Sequence, residues 1–293
     1  TKDKRLSAPL GAGLIIISSF FYASYGIFTK LMGDFFTGYT AAAIRSTLIV
    51  IILGAIAFYY KRLEPVRLRK NWLHILGLFI TSLFIWGPLY YATLHAGLGI
   101  SSAVAYASIV LGMFFFGWWW DGEEITKDKI ISSILGIIGL LLIFSPTVSL
   151  SQFITLSGAF ISGLATAANA VASKKISYHS TQATLVVWIT SAIANAVMAL
   201  ALGKSYPEFH GEIEWVYLGL FAIVSLIATW SLVKGVKLID AGTAGILGLL
   251  EIVFGVLFGV LFFSEKPGPI ILVGVGIIIM ASAIPYLKKF RAA

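Results

Sequence analysis

Polar residues along this chain are gathered into short clusters, and the stretches between them are apolar for close to 20 residues at a time. That length suits a membrane-spanning helix and exceeds the ~10-residue alternating strands of a barrel. Ten such stretches can be marked, at roughly 9–32, 37–60, 72–94, 99–120, 130–147, 154–173, 182–203, 215–237, 241–263 and 268–287. The joining segments are short, and the longest, GKSYPEFHGEIE, lies between the seventh and eighth stretches. The pattern predicts an all-α integral membrane protein.

Composition agrees. Of 293 residues 59% are hydrophobic and only 12% charged, where a soluble domain carries about 25%. The mean hydropathy is +0.95. A net charge of +8 does not point to nucleic acid, because the basic residues sit in turns, where they set orientation. With the N-terminus placed in the cytoplasm, 17 of the 21 Lys and Arg fall on cytoplasmic segments. This predicts a multi-pass protein of the cell inner (plasma) membrane with both termini cytoplasmic, and supports an even number of spans. The basic opening, TKDKRLSAP, leads into a full-length span and not into the short apolar core and cleavage site of a signal peptide. No initiator Met is present, so further residues are expected before it. The chain has no cysteine, hence no disulfide or thiolate chemistry.

The two halves repeat. Tyr91-Ala-Thr-Leu-His-Ala-Gly-Leu-Gly-Ile-Ser-Ser102 lies against Val233-Lys-Gly-Val-Lys-Leu-Ile-Asp-Ala-Gly-Thr-Ala244 at an offset of 142, which also sets Gly117-Trp-Trp-Trp-Asp-Gly-Glu123 against Gly259-Val-Leu-Phe-Phe-Ser-Glu265. The first span matches the sixth at an offset of 145, with Thr29-Lys30 on Lys174-Lys175. Five spans per unit is an odd number, so the second unit enters the membrane from the opposite side. Residues 1–150 and 151–293 are therefore expected to be two inverted five-helix repeats around a central cavity, an architecture of alternating-access transporters.

Within the ninth stretch stands one carboxylate, Glu251, flanked by Gly242, Gly245, Gly248, Gly255 and Gly259. An ionised group at mid-membrane costs roughly 2.5–3.5 kcal/mol on insertion scales, so it needs a partner, a wet cavity or a proton. A carboxyl that gains and loses a proton could couple transport to a gradient or pair with a cationic solute; otherwise it is structural. Arg45 lies about 12 Å deep, at 1.5 Å per residue from the outer end of the second span. It could hold a substrate carboxylate, pair with Glu251 or Asp34, or snorkel outward. If both face the path, a zwitterion such as an amino acid is the natural cargo. Tyr22, Tyr25, Trp86, Tyr90, Tyr106, Trp188 and Trp230 lie too deep for an interfacial belt, and could form a cage for an ammonium group or pack the core. Trp72, Trp118, Trp119, Trp120 and Trp215 sit at span ends as expected belt residues. Asn169 is a lone amide able to donate to a solute or to a neighbouring helix. His74 and His95 are expected to be solvated or interfacial, and Lys30, Lys234 and Lys237 to snorkel. Asp121-Gly-Glu-Glu reads as a cytoplasmic turn, not a metal site.

Leu249-Leu-Glu-Ile-Val253 is followed by Leu261-Phe-Phe-Ser-Glu265, and the first half carries the weaker Ile109-Val-Leu and Trp120-Asp-Gly-Glu123. On these motifs the chain resembles the EamA-type exporters of the drug/metabolite transporter superfamily over essentially its whole length, and Arg45 sits where that family tends to place an arginine. Where the family has a proline after the glutamate this chain has Ile252, and Val110 replaces it in the first half. The resemblance implies a proton-linked or gradient-driven exporter of small metabolites, such as amino acids or amines. The alternative within the superfamily is a nucleotide-sugar or sugar-phosphate exchanger, which would need lysines clustered in the cavity. The resemblance also implies that spans three, four, eight and nine, with one and six, line the path. No HExxH, Walker lysine or Gly-x-Ser-x-Gly motif occurs, so no enzyme activity, cofactor or metal is expected. The expected partners are a small-molecule substrate and the lipid bilayer, and the Gly-rich helices leave room for a homodimer. The candidate substrate-binding or coupling residues are Glu251, Arg45, Tyr25, Trp86, Tyr90, Tyr106 and Asn169.

Overall fold

A computed structural model describes residues 2–65, 68–96, 98–144 and 153–291. The side chains of 2–6, 68, 90, 94, 98, 99 and 286–291 lie outside that description, as does the expected repeat boundary at 150/151. All regular structure among the described residues is helical. The order is α1 (Lys2–Ala23), α2 (Tyr25–Met32), α3 (Gly38–Tyr59), α4 (Leu68–Ala96), α5 (Leu98–Asp121), α6 (Lys127–Phe144), α7 (Phe153–Lys175), α8 (Ser180–Ala201), α9 (Ile213–Val236), α10 (Ala241–Gly248), α11 (Leu250–Phe263) and α12 (Pro269–Arg291).

Among the described residues, eight stretches are long and apolar enough to cross a bilayer: α1 with α2, α3, α4, α5, α7, α8, α9, and α10 with α11. The 18-residue α6 opens on Lys127, Asp128 and Lys129, and the apolar part of α12 spans only Pro269–Pro285. Outward faces are apolar: Phe58 is 77%, Ile154 81% and Leu200 72% exposed. Surface of this kind is stable against acyl chains and not against water. The protein is a multi-pass membrane protein.

Two spans expected to be continuous are broken. The first turns at Ser24, whose Oγ donates to the Phe21 carbonyl at 2.7 Å and competes with the helical ladder there. The ninth breaks at Leu249, just after Gly248, where two successive i→i−3 bonds, Leu249 N to Ile246 O and Ile252 N to Leu249 O, tighten the turn. This break forms without a proline, Ile252 following Glu251. Glu251 follows within two residues.

Helix packing exchanges between the halves. As α1 packs on α9, α10 and α11, so α7 packs on α4 and α5; α3 pairs with α8 and α6 with α12. Small residues allow these approaches. The buried face of α7 includes Ala159, Gly163, Ala167, Ala170 and Ala172, seating it between α4 and α5. A Cβ on Gly163 would collide with Ser108 Oγ and the Ala105 carbonyl of α5. Gly163→Leu is therefore expected to destabilise the fold by about 1–3 kcal/mol through overpacking, read as a lower melting temperature of the detergent-purified protein.

The belt is only partly as expected. Trp72, Trp118 and Trp119 are more than half exposed, but Trp120 packs inward against core residues and stacks on His74 at 5.8 Å, and Trp215 joins Phe35 and Phe36. His95 is exposed and bonds the Tyr91 carbonyl through Nδ1.

Candidate functional site

Where α1, α2, α3, α4, α5 and α7–α11 converge, they enclose a cavity of about 330 Å³, within the range of small-ligand sites. Among the described residues, none of α6 or α12 lines it. Its wall is mostly apolar, with Tyr22, Tyr25, Trp86, Tyr106 and Trp188 as the rings, and Arg45 and Glu251 as the charged or ionisable acid–base groups. The second and seventh spans thus join the lining through Arg45, Val187, Trp188 and Ser191, because α3 and α8 pack as a pair across the centre. They were not among the six spans expected there.

Glu251 lies in the first turn of α11 and is partly buried. Tyr106 of α5 donates its hydroxyl to Glu251 Oε1 at 2.6 Å. The break at Leu249 brings the carboxyl to the cavity at the start of a helix. This contact crosses from the first half to the second, so any relative movement of α5 and α11 acts on it.

Arg45 does not snorkel. It is 3% exposed and pairs with neither Glu251 nor Asp34 among the described residues. Its guanidinium carbon sits 4.2 Å from the ring centre of Phe221, 5.0 Å from Trp86, 5.1 Å from Tyr25 and 5.8 Å from Trp188. Its Nε is buried with no hydrogen-bond partner. Four ring faces from α2, α4, α8 and α9 therefore meet the cation. Such contacts contribute about 2 kcal/mol each when desolvated, short of the cost of burying an unpaired charge. Arg45 lines the cavity.

Of the remaining candidates, Tyr25, Trp86 and Tyr106 line the cavity, and Tyr90 is in α4 with its side chain outside the described residues. Asn169 also lines it, but its amide is spent on α4, donating to Thr81 Oγ1 at 2.8 Å and to the Leu78 carbonyl at 3.3 Å. Its donor serves helix packing. Trp230 is not in the wall; it lies under Lys234 at 4.7 Å and donates to Thr181. Among wall residues overlooked from sequence are hydroxyls. Thr229 bonds the already noted Tyr22 at 2.9 Å, Ser18 donates to the Ala228 carbonyl at 2.9 Å, and Ser162 to the Ile85 carbonyl at 2.5 Å. Their signal was present as Ser and Thr within apolar spans, which is weak because such residues also cap and pack helices.

Comparison with known proteins agrees with this architecture. The model of the EamA-like transporter family matches residues 9–145 and again 153–286. A solved structure described only as "Crystal structure of protein" superimposes with a TM-score of 0.81, covering 98% of this chain and 99% of its own, at 17% identity; that likeness bears on the fold alone. No curated protein matches the chain significantly. With two copies of the family pattern spanning nearly its full length, the chain belongs to the EamA-like transporter family of the drug/metabolite transporter superfamily.

Proposed function

We propose that this protein is a secondary active transporter that moves small metabolites such as amino acids or amines by alternating access, with proton- or gradient-driven export as its working mode. The observation that carries this reading is the shared cavity of Arg45 and Glu251. A cation met, among the described residues, by ring faces and a carboxyl held by one phenol leave complementary places for the carboxylate and ammonium of a zwitterion. The aromatic wall suits apolar side chains.

In this reading α6 and α12 complete ten spans, and the two five-span units are related by a pseudo-two-fold axis in the membrane plane. The exchange of packing partners between halves supports that relation. So does the 3.2 Å contact of Ser46 with Ser191, residues 145 apart, the same offset that aligns the first and sixth spans. The charge bias of the loops favours cytoplasmic termini in a plasma membrane. A sugar-phosphate exchanger is the weaker reading, since no lysine lines the cavity and Arg45 is its single fixed cation among the described residues.

Reconstitution into proteoliposomes tests the assignment. Labelled amino acids and amines are offered with and without an imposed pH gradient. Gradient-dependent accumulation of a zwitterion or amine is expected; uptake confined to sugar phosphates or nucleotide sugars would overturn it.

A further inference from the structure

Outside the cavity, the structure places one acidic motif twice, once at each end of the path, in two different states. At one end α5 runs out at Asp121, Gly122 takes a left-handed turn (φ 67°), and Glu123 N donates back to the Gly117 carbonyl at 3.0 Å. At the other, α11 runs out at Phe263, Ser264 takes the same turn (φ 54°), and Glu265 N donates to the Gly259 carbonyl at 3.1 Å. Each glutamate folds its carboxylate over the corresponding glycine, leaving no space for a Cβ there. The glycines are what permit the fold-back.

The partners correspond as well. Lys175 pairs with Asp121 at 2.5 Å, and Lys30, its counterpart at the offset of 145, lies 3.8 Å from the ring centre of Phe263, the counterpart of Asp121 at the offset of 142. Lys30 also reaches Glu265 at 3.2 Å, as Lys174 reaches Glu123.

What differs is engagement. The Glu123 side chain is 9% exposed and accepts from Lys174 and from the backbone N–H of Ala241, at 2.7 Å, in the first turn of α10. A second backbone donor, Gly242 N, lies 3.4 Å from its other oxygen. Lys174 in turn bridges to Asp121 at 2.6 Å. This ties α5, α7 and α10 into one closed knot, with a carboxylate on a helix N-terminus where it is favoured. The Lys30–Glu265 pair is 57% exposed on both sides and, among the described residues, takes no backbone donor. The positions matching Ala241 and Gly242 are the backbone amides of Gly99 and Ile100, in the first turn of α5.

We propose that Glu123 and Glu265 are the gating residues of the transport cycle, each capping a helix of the opposite half in turn. In the state seen here Glu123 caps α10, while Glu265 stays half-exposed beside Lys30; in the proposed cycle the first seals its end of the path and the second leaves the other end open. In the reverse state Glu123 leaves α10, and Glu265 with Lys30 closes on the first turn of α5. The two ends then differ only in which carboxylate is seated, so one state is built from the breaking of the other. This inference rests on the transport reading, but its test reads conformation and needs no substrate.

The absence of cysteine allows spin labels at introduced cysteines without removing native ones. One pair, at His95 and Lys266, reports the Glu265 end; another, at Glu124 and Leu238, reports the Glu123 end. Pulsed electron–electron distance measurements in nanodiscs give the populations. Losing a hydrogen-bonded charge at a seated carboxylate should shift the ratio of states by about tenfold. Glu123→Gln is expected to lengthen the Glu124–Leu238 distance and shorten the His95–Lys266 distance together, and Lys174→Gln to do the same where Glu123→Gln fails to fold. Adding Glu265→Gln to either should reverse the shift. Unchanged distances in the folded variants, opening of one end without closure of the other, or no reversal by Glu265→Gln would each overturn the proposal. Loss of uptake with normal distance changes would instead count against the substrate assignment and leave the gating intact.

Discussion

Glu251→Gln is expected to abolish proton-driven accumulation of solute while leaving the protein folded. Glutamine keeps the shape of the side chain and an oxygen to which Tyr106 can still donate, so the contact between α5 and α11 survives. What is lost is the ability to take and release a proton. Energy-independent exchange of substrate across the bilayer should therefore persist where uptake driven by a pH gradient falls to background. Measuring both modes in the same proteoliposomes separates coupling from binding. Retention of gradient-driven uptake would remove Glu251 from coupling, and loss of monodispersity would make it a structural residue.

Arg45→Met is the second large effect, and its direction is unusual. A buried arginine that holds the fold together through ion pairs destabilises by about 3–5 kcal/mol when its partner is lost. Among the described residues no carboxylate pairs with Arg45, and four rings surround it. Replacing an uncompensated buried charge with an apolar side chain of similar length is expected to leave thermal stability unchanged or raise it. Transport should collapse, with KM for a zwitterion raised about 30-fold or more as the fixed cation for its carboxylate is removed. Amines lacking a carboxylate should be affected far less. A drop in melting temperature, or equal losses for zwitterions and amines, would assign Arg45 to packing.

These two variants test different links of one argument. Arg45 sits on α3, which packs on α8 and α9, and Glu251 on α11, which packs on α1; both line the cavity. In the proposed cycle, selectivity then belongs to the distance between these two groups. The gating glutamates lie at the ends of the helices that carry Tyr106 and Glu251, α5 and α11. Seating one of them is a means by which an event at an end of the path can alter the Tyr106–Glu251 contact at its centre.

The all-helical, membrane-spanning character of the chain was legible because apolar run length is a local property, unaffected by what packs against it. The offset of 142 was legible for the same reason, and Glu251 stood out because a carboxylate in hydrocarbon is costly wherever its helix faces. Which face each helix presents is not local. Arg45 could have snorkelled at its depth, and only the packing of α2, α4, α8 and α9 around it turned the guanidinium inward. Asn169 faces the cavity yet gives its donor to α4, and Trp120 and Trp215 turn from the interface into the core. Lys30 and Lys174, similar in sequence as cations at span ends, differ in that one closes a knot with Glu123 and the other rests half-exposed beside Glu265. Periodicity and composition are sums over neighbours along the chain. The pairing of groups 51 to 235 residues apart depends on helix rotation and register, and those are decided where the two halves meet.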